Sequence, residues 1–404
     1  LPKDVADSHL SGDLHITYPG LWSLLPDIIF INVKELIEDG INPRGKSLNI
    51  SRIPSVKTLD NLSSALSMII SLISKEASQE VVMDGLISLL SKYSKKLPEL
   101  EQKIVEAFVK SSTTLKYNKA PTMVSFVIHL GTEQKIVNAV LSAYRTYTQL
   151  TPIPMIGLII NYEKGVVSHV SEILSEIITL GGKIMFSKHH VSQKGIIHSK
   201  NTNVTSLHLC SLSINLPRLA FESNKDETYF RARLALLMKP ALTSMALRKK
   251  SISDLVRLGI NPVLGDSTQH MQRSSVSLIV NLIGLHNAVY GILGFKNDKQ
   301  GKEILHKVIE TAVDVASKKA KELSVNVMIC ITESDGSDRF VSLDEEKYGK
   351  DSILKIIDGE TYSQGITLDG GTMTELTAKS AEIVECNKIT KILNGGLLVP
   401  LKIP

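Results

Sequence analysis

The sequence predicts an α/β fold with a largely parallel sheet, on two observations. Segments with helical apolar spacing alternate with short apolar runs through most of the chain. Several of those runs are apolar at nearly every position, as in strands covered on both faces, instead of every second position.

In chain order, Leu59, Leu62, Leu66, Ile69, Ile70 and Ile73 have the spacing of one helix face, with Thr58 and Asp60 as candidate caps. The stretch Glu80 to Tyr93 reads as a second helix. A third begins near Pro98, with Ile104, Val105, Phe108 and Val109 as its stripe. Thr122–Leu130 reads as a strand ending at Gly131. Thr132 is a candidate cap for the helix that follows, with Ile136, Val137, Val140, Leu141 and Tyr144 inward. Met155–Tyr162 is a buried strand. Val170–Leu180 is a short helix stopped by Gly181-Gly182. Thr205–Leu216 is a strand. Asp226 to Lys250 is a long helix in which Pro240 predicts a kink or a break. Val276–Leu282 is a strand, Gly301–Leu323 an amphipathic helix and Val325–Thr332 a strand. Gly265–Ser275 reads as a loop. From about residue 335 onward Gly and Asp are frequent, predicting loops and short strands packed on a single domain that spans 1–404.

Composition bounds the function classes. Hydrophobic residues are 43% and charged residues 22% of 404, ordinary globular values that exclude collagen-like, low-complexity and disulfide-scaffold chains. The cysteines Cys210, Cys330 and Cys386 are sparse and odd in number, which favours a reducing compartment and a cytoplasmic location. No apolar run reaches the ~18–20 residues that span a bilayer, and no secretory leader is recognisable at Leu1, so no membrane partner is expected. The chain does not start with Met, and upstream residues are an open expectation. A net charge of +5 permits a nucleotide or RNA partner without requiring one, and aromatics at 5% argue against a base-stacking platform.

Short motifs say little alone. Thr332–Asp338 lacks the late glutamate of a calcium loop and reads as an Asp/Gly turn. His189, His190, His198 and His208 are the densest histidine group. Adjacent strand residues face opposite ways, so His189 and His190 are poor co-ligands, and exposed or capping loop histidines are expected instead of a metal site. Asp369–Glu375 is a Gly-rich turn without a phosphate-loop lysine. Arg248-Lys249-Lys250 is explained as a basic end to its helix.

Seven segments in order carry a resemblance. They are Leu1–Ile16, Thr151-Pro-Ile-Pro154, Ser211–Ala220 with its Ser-Ile-Asn-Leu-Pro-Arg core, and Asn281–Val289 with Leu293-Gly-Phe295. The last three are Asp338-Arg-Phe340, Thr361-Tyr-Ser-Gln-Gly365 and Asn394-Gly-Gly-Leu-Leu398. Together they resemble the catalytic subunit of the anaerobic ribonucleoside-triphosphate reductases, a glycyl radical enzyme family, across nearly the whole chain. The resemblance implies a ten-stranded α/β barrel, two five-stranded parallel halves set antiparallel and surrounded by helices. It also implies a pocket at the barrel mouth. There the matching residues are Asn215, Arg218, Tyr362, Ser363 and Gln364, with the Arg218 guanidinium either facing a phosphate or held in a structural ion pair.

The departures concern chemistry. The sequence contains no Arg-x-x-Gly-Tyr radical loop and no paired Cys-x-x-Cys zinc site. The family's hydrogen-abstracting cysteine sits on a central loop that corresponds to about Gly182–Ser206, where no cysteine occurs; Cys210 falls on the following strand. After His15-Ile16, Thr17-Tyr18 replace the family's His-Asp. These features predict a non-catalytic relative, with no catalytic residue, cofactor or metal, acting as a binding or scaffold protein with a residual nucleotide pocket. A nucleoside triphosphate and a second copy of the chain, as a homodimer, are the partners this admits. The alternatives are a working reductase whose radical domain lies outside this chain, and an RNA- or ribonucleoprotein-binding factor supported only by basic groups such as Lys318, Lys319 and Lys321.

Overall fold

The computed structural model describes residues 1–41, 53–116, 122–131, 133–162, 169–198, 205–265, 275–357, 359–366, 368–369, 380–399 and 401–402. A curled sheet of ten strands runs through it, flanked by helices. In chain order the strands are β1 (Leu14–Ile16), β2 (Ile28–Asn32), β3 (Glu80–Asp84), β4 (Met123–His129), β5 (Ile156–Asn161), β6 (Ile184–Ser187), β7 (Ser206–Asn215), β8 (Ser275–Ile283), β9 (Asn326–Ile331), β10 (Leu368–Asp369), β11 (Gly396–Leu397) and β12 (Leu401–Lys402). Strands β10 and β12 pair separately.

The spatial order is β11-β9-β8-β7-β2-β3-β4-β5-β6. Strands β2 to β6 are mutually parallel, and so are β7, β8, β9 and β11. The halves meet where β2 runs antiparallel to β7, Ile28 opposite His208. The second half differs from the five parallel strands expected, because β1 runs antiparallel to β7, Leu14 opposite Ile214. Strand alternation divides the core. Val81 and Met83 of β3 join the apolar layer under the helices, whereas Val82 points inside the curl. That interior holds Ile28, Phe30, Val127, Ile159, Cys210, Ile279, Met328 and Cys330, closed by Val191 and Ile196.

The strands expected at Thr122–Leu130, Met155–Tyr162, Thr205–Leu216, Val276–Leu282 and Val325–Thr332 are β4, β5, β7, β8 and β9. Helices form at Leu59–Ile73, Leu97–Lys116, Gln134–Leu150, Ser171–Thr179 and Lys299–Leu323.

Four expectations are corrected. Glu80–Tyr93 is not one helix: Glu80–Asp84 is a strand, and Gly85, at φ 83°, turns the chain into the short helix Leu86–Leu90. Its Val-Val-Met run satisfies strand and helix periods alike over so few residues. Of the kink or break expected at Pro240, the break does not occur: the helix Glu227–Arg257 runs on through it, with Met238, Ala241 and Leu242 buried beside it. Consequently Arg248 does not end a helix; it is buried mid-helix. After Asp335 the chain forms helices Gly336–Tyr348, Lys350–Leu354 and Ser380–Ile392 instead of mainly loops. Thr132 and residues 266–274 and 370–375 lie outside the described residues. Among the described residues no helix is long and apolar enough to cross a membrane.

Candidate functional site

Because β2 opposes β7, the C-terminal ends of β7, β8 and β9 lie at the rim where β2 to β6 begin. Ligands of parallel sheets sit at C-terminal strand ends, where backbone groups and loops converge. Here the entry segment through β1, the segment after β9 and residues 361–366 meet.

The floor of this end is a buried polar network around Asp344. Arg218 follows β7 at the start of the helix Leu216–Glu222, and its Nε is 2.5 Å from Asp344 Oδ1. The two side chains are 2% and 0% exposed. Arg218 Nη2 donates to the Leu343 carbonyl at 3.0 Å. Asn215 Nδ2 and Tyr362 Oη each donate to Asp344 Oδ2 at 2.9 Å. The Asn215 amide oxygen caps the helix by accepting from Arg218 N. Burial first, then the Asp344 charge, pushes the Tyr362 hydroxyl far above the usual tyrosine range. The guanidinium is thus neutralised by a carboxylate and walled from solvent, in the ion-pair arrangement. Gly12 is required here: a Cβ would come within 2.9 Å of Arg218 Nη1, and its φ is 90°.

Ser363 and Gln364 continue the wall. Ser363 N donates to Asn287 Oδ1 at 2.8 Å, and Gln364 Oε1 accepts from Ser334 N at 2.6 Å. Next to Ser334, Asp335 accepts from Thr17 Oγ1 at 2.6 Å and lies 3.6 Å from His15 Nε2. Burial raises the Asp335 pKa, but His15 and Thr17 outweigh it and bring it to about 2. His15 is 9% exposed, its ring packed on His9 and Phe340 and its Nε2 directed at the Asp335 carboxylate. Tyr18, beside it, holds a left-handed backbone at φ 50°.

Between β6 and β7 the chain enters the curl. Val191 and Ile197 form a bridge, and Ser192 to Ile196 turn back inside. Gln193 N donates to Glu80 Oε1 at 3.0 Å, and Gln193 Nε2 to the Leu158 carbonyl at 2.9 Å. Lys194 Nζ donates to Gln79 Oε1 at 2.8 Å, and its charge acts on Asp335, Tyr18 and Cys330. Ile197 N donates to the Gly395 carbonyl beside β11, so the loop ties the two sheet edges. The inward turn therefore presents Gln193 and Lys194. Of the nearby thiols, burial pushes Cys330 up to about 12 and Cys210 well above the usual range.

The structure brings Asn215, Arg218 and Tyr362 together and sets Ser363 and Gln364 beside them. Sequence reasoning missed Asp344, Asp335 and Lys194, which come from distant segments and carry no local signature. The expectation of exposed or capping loop histidines holds for the exposed His189 and is corrected for His198 and His208. His208 lies on β7 at 1% exposure, His198 at 6%, and both pack on the Phe30 ring. Thr332–Asp338 leaves β9 and opens a helix through Asp335, with no calcium-loop geometry.

Comparisons with known proteins agree with this arrangement. The family model described as anaerobic ribonucleoside-triphosphate reductase matches residues 164–401, more than half of the chain. The anaerobic ribonucleoside-triphosphate reductase of Haemophilus influenzae is 26% identical over 173 residues, 39% of this chain. That match spans 24% of the relative's length. Among solved structures, the Thermotoga maritima anaerobic ribonucleotide reductase with citrate in the active site superposes with TM-score 0.69. It covers 99% of this chain and 84% of its own, at 14% identity. The same enzyme in complex with dATP and CTP gives TM-score 0.67, covering 98% of this chain and 77% of its own, again at 14% identity. The solved structures share the fold, and the family model covers more than half of the sequence: the chain belongs to the anaerobic ribonucleoside-triphosphate reductase family.

Proposed function

We propose that this chain is a non-catalytic relative of the reductases that binds a nucleotide at the C-terminal ends of β7, β8 and β9 and serves as a binding or scaffold protein. One observation carries the reading. The turn inside the curl, where the family places its hydrogen-abstracting cysteine, offers Gln193 and Lys194, and the segment 182–206 holds no thiol. An amide and an ammonium have no S–H bond to yield and re-form.

The nucleotide half of the reading rests on the half-buried polar group of His15, Thr17 and Asp335 and on Lys194, whose charge acts on Asp335. The dATP and CTP held by the Thermotoga relative lend it support. In this reading Asn215, Arg218 and Tyr362 hold the floor through Asp344, and Ser363 and Gln364 form the wall. His15 and Lys194 meet the phosphates, and Thr17 and Asp335 meet ribose hydroxyls.

Calorimetric titration with ATP, CTP and dATP tests it. Binding at or below about millimolar is expected, weakened about tenfold or more in Lys194→Ala, as loss of a charge-assisted hydrogen bond would do. Treatment with a radical-activating enzyme and reductant should give no glycyl radical signal by electron paramagnetic resonance and no deoxynucleotide. Turnover would overturn the non-catalytic half, and absence of binding at millimolar nucleotide would overturn the pocket.

A further inference from the structure

Three metal-ligating side chains converge at the other end of the sheet, where β3 and β4 finish. Asp84 closes β3, His129 closes β4, and His190 stands on the loop that then enters the curl. Asp84 Oδ1 is 3.1 Å from His129 Nε2, and Asp84 Oδ2 is 3.5 Å from His190 Nδ1. One ligand atom from each of the three lies within 4.8 Å of the others. A four-coordinate ion with bonds near 2.0–2.1 Å holds its ligands about 3.3 Å apart. The two contacts run to different oxygens of the one carboxylate, so a small turn of the Asp84 carboxylate and closure of the imidazoles bring one atom of each residue to that spacing.

The surrounding backbone holds the group. Gly85 N–H donates to Asp84 Oδ1 at 2.5 Å, and His198 N–H donates to the His190 carbonyl at 2.7 Å. The bond to the carboxylate is of the kind that orients a metal ligand, and the backbone bond fixes the place of His190 in its loop. An ordinary Asp–His ion pair needs one histidine. Here rings from two segments, centroids 5.4 Å apart, face one carboxylate. The side chains of His129, His190 and Asp84 are 34%, 22% and 20% exposed, open enough for an ion to enter. His189, next in sequence, is exposed and takes no part in the group.

We infer that Asp84, His129 and His190 form a binding site for a borderline divalent transition-metal ion such as Zn²⁺, Co²⁺ or Fe²⁺. Two imidazoles disfavour Mg²⁺ and Ca²⁺, and the lack of thiolate disfavours Cu⁺. Three protein ligands leave a coordination position for water or a small ligand. Because His190 belongs to the inward loop and its co-ligands to the sheet, the bound ion fastens the base of that loop to the first half. This inference stands apart from the nucleotide reading, since the two sites lie at opposite strand ends.

The test is titration of the chelator-treated full chain with Co²⁺, followed by visible ligand-field absorption. One equivalent should bind saturably and be displaced by Zn²⁺. Asp84→Asn, His129→Gln and His190→Gln should each weaken binding by about tenfold or more, with His189→Gln unchanged. Circular dichroism identifies any variant that fails to fold. For such a variant, a Zn²⁺-dependent rise in melting temperature in the unaltered chain, absent in a folded member of the set, takes its place. Failure to see saturable absorption, or an unchanged titration in folded His190→Gln, overturns the site.

Discussion

Arg248 Nη1 lies 2.7 Å from Asp27 Oδ2, with both side chains 1% exposed, at the seam between the two halves of the sheet. Asp27 precedes β2. Its carboxylate also accepts from Cys210 N, Ser211 N, Ser211 Oγ and Ser78 Oγ, so it touches β7 and the approach to β3. Burial raises its pKa, but Arg248 and these donors outweigh burial and the net shift is downward. Arg248 comes from the middle of the long helix Glu227–Arg257 and stacks on Trp22, 4.4 Å from the ring centroid.

Breaking this pair is expected to destabilise the whole fold. Asp27→Asn leaves a buried guanidinium without its counter-charge, a loss of about 3–5 kcal/mol. Urea unfolding should show a lower midpoint. The joint replacement Asp27→Leu with Arg248→Met should cost less than the sum of the single changes, because no charge is left unpaired.

The Asp344 network gives a graded series. Tyr362→Phe removes one hydrogen bond to a charged acceptor and should cost about 1.5–3 kcal/mol. Arg218→Met should cost more, because Asp344 stays buried beside only Asn215 and Tyr362. Thermal melts rank the variants. If Arg218→Met melts with the unaltered chain, the guanidinium is not a structural element and the ion-pair account of the floor fails.

Glu76 sets a pH dependence. It is 4% exposed and accepts from Val263 N at 2.7 Å and Leu264 N at 2.8 Å, with burial the dominant effect, so its pKa rises to about 7. The unfolded chain releases this proton near the ordinary value of 4.5 and the folded chain near the raised one. Below both values the group is neutral in either state. As pH rises between them the folded state binds the extra proton, and stability falls by up to about 3 kcal/mol. Above the folded value the loss is complete. Glu76→Gln should flatten this window, read as the difference between the two proteins' urea midpoints at pH 5 and pH 8. An unchanged difference would show that Glu76 ionises normally.

The segments with long, unbroken apolar runs were legible from residue order. Strands β4, β5, β7, β8 and β9 each hold such a run, since a strand covered on both faces needs apolar groups on both. The strands β1, β2 and β6 are too short for periodicity to mark, and Glu80–Asp84, which is β3, fits a helix equally well. Over three to five residues periodicity does not separate the two conformations, and only pairing with neighbours settles it. The helices after Asp335 escaped for a related reason. Gly336–Tyr348 is polar on most positions and is fixed by burying Phe340, Val341 and Asp344, not by an amphipathic stripe.

The candidate site divides the same way. The sequence determined the alternating architecture, the absence of a thiol from the inward loop, and the Asn-Leu-Pro-Arg and Tyr-Ser-Gln segments that line one end. The tertiary structure alone decided what those groups do. Asp344 stands 126 residues after Arg218, and Asp335 stands 318 after Thr17. His190 meets Asp84 only through the pairing of β3 to β6. A charge's partner, and therefore whether it binds a ligand or holds the fold, depends on distances that chain closure sets. No local pattern of residues encodes those distances.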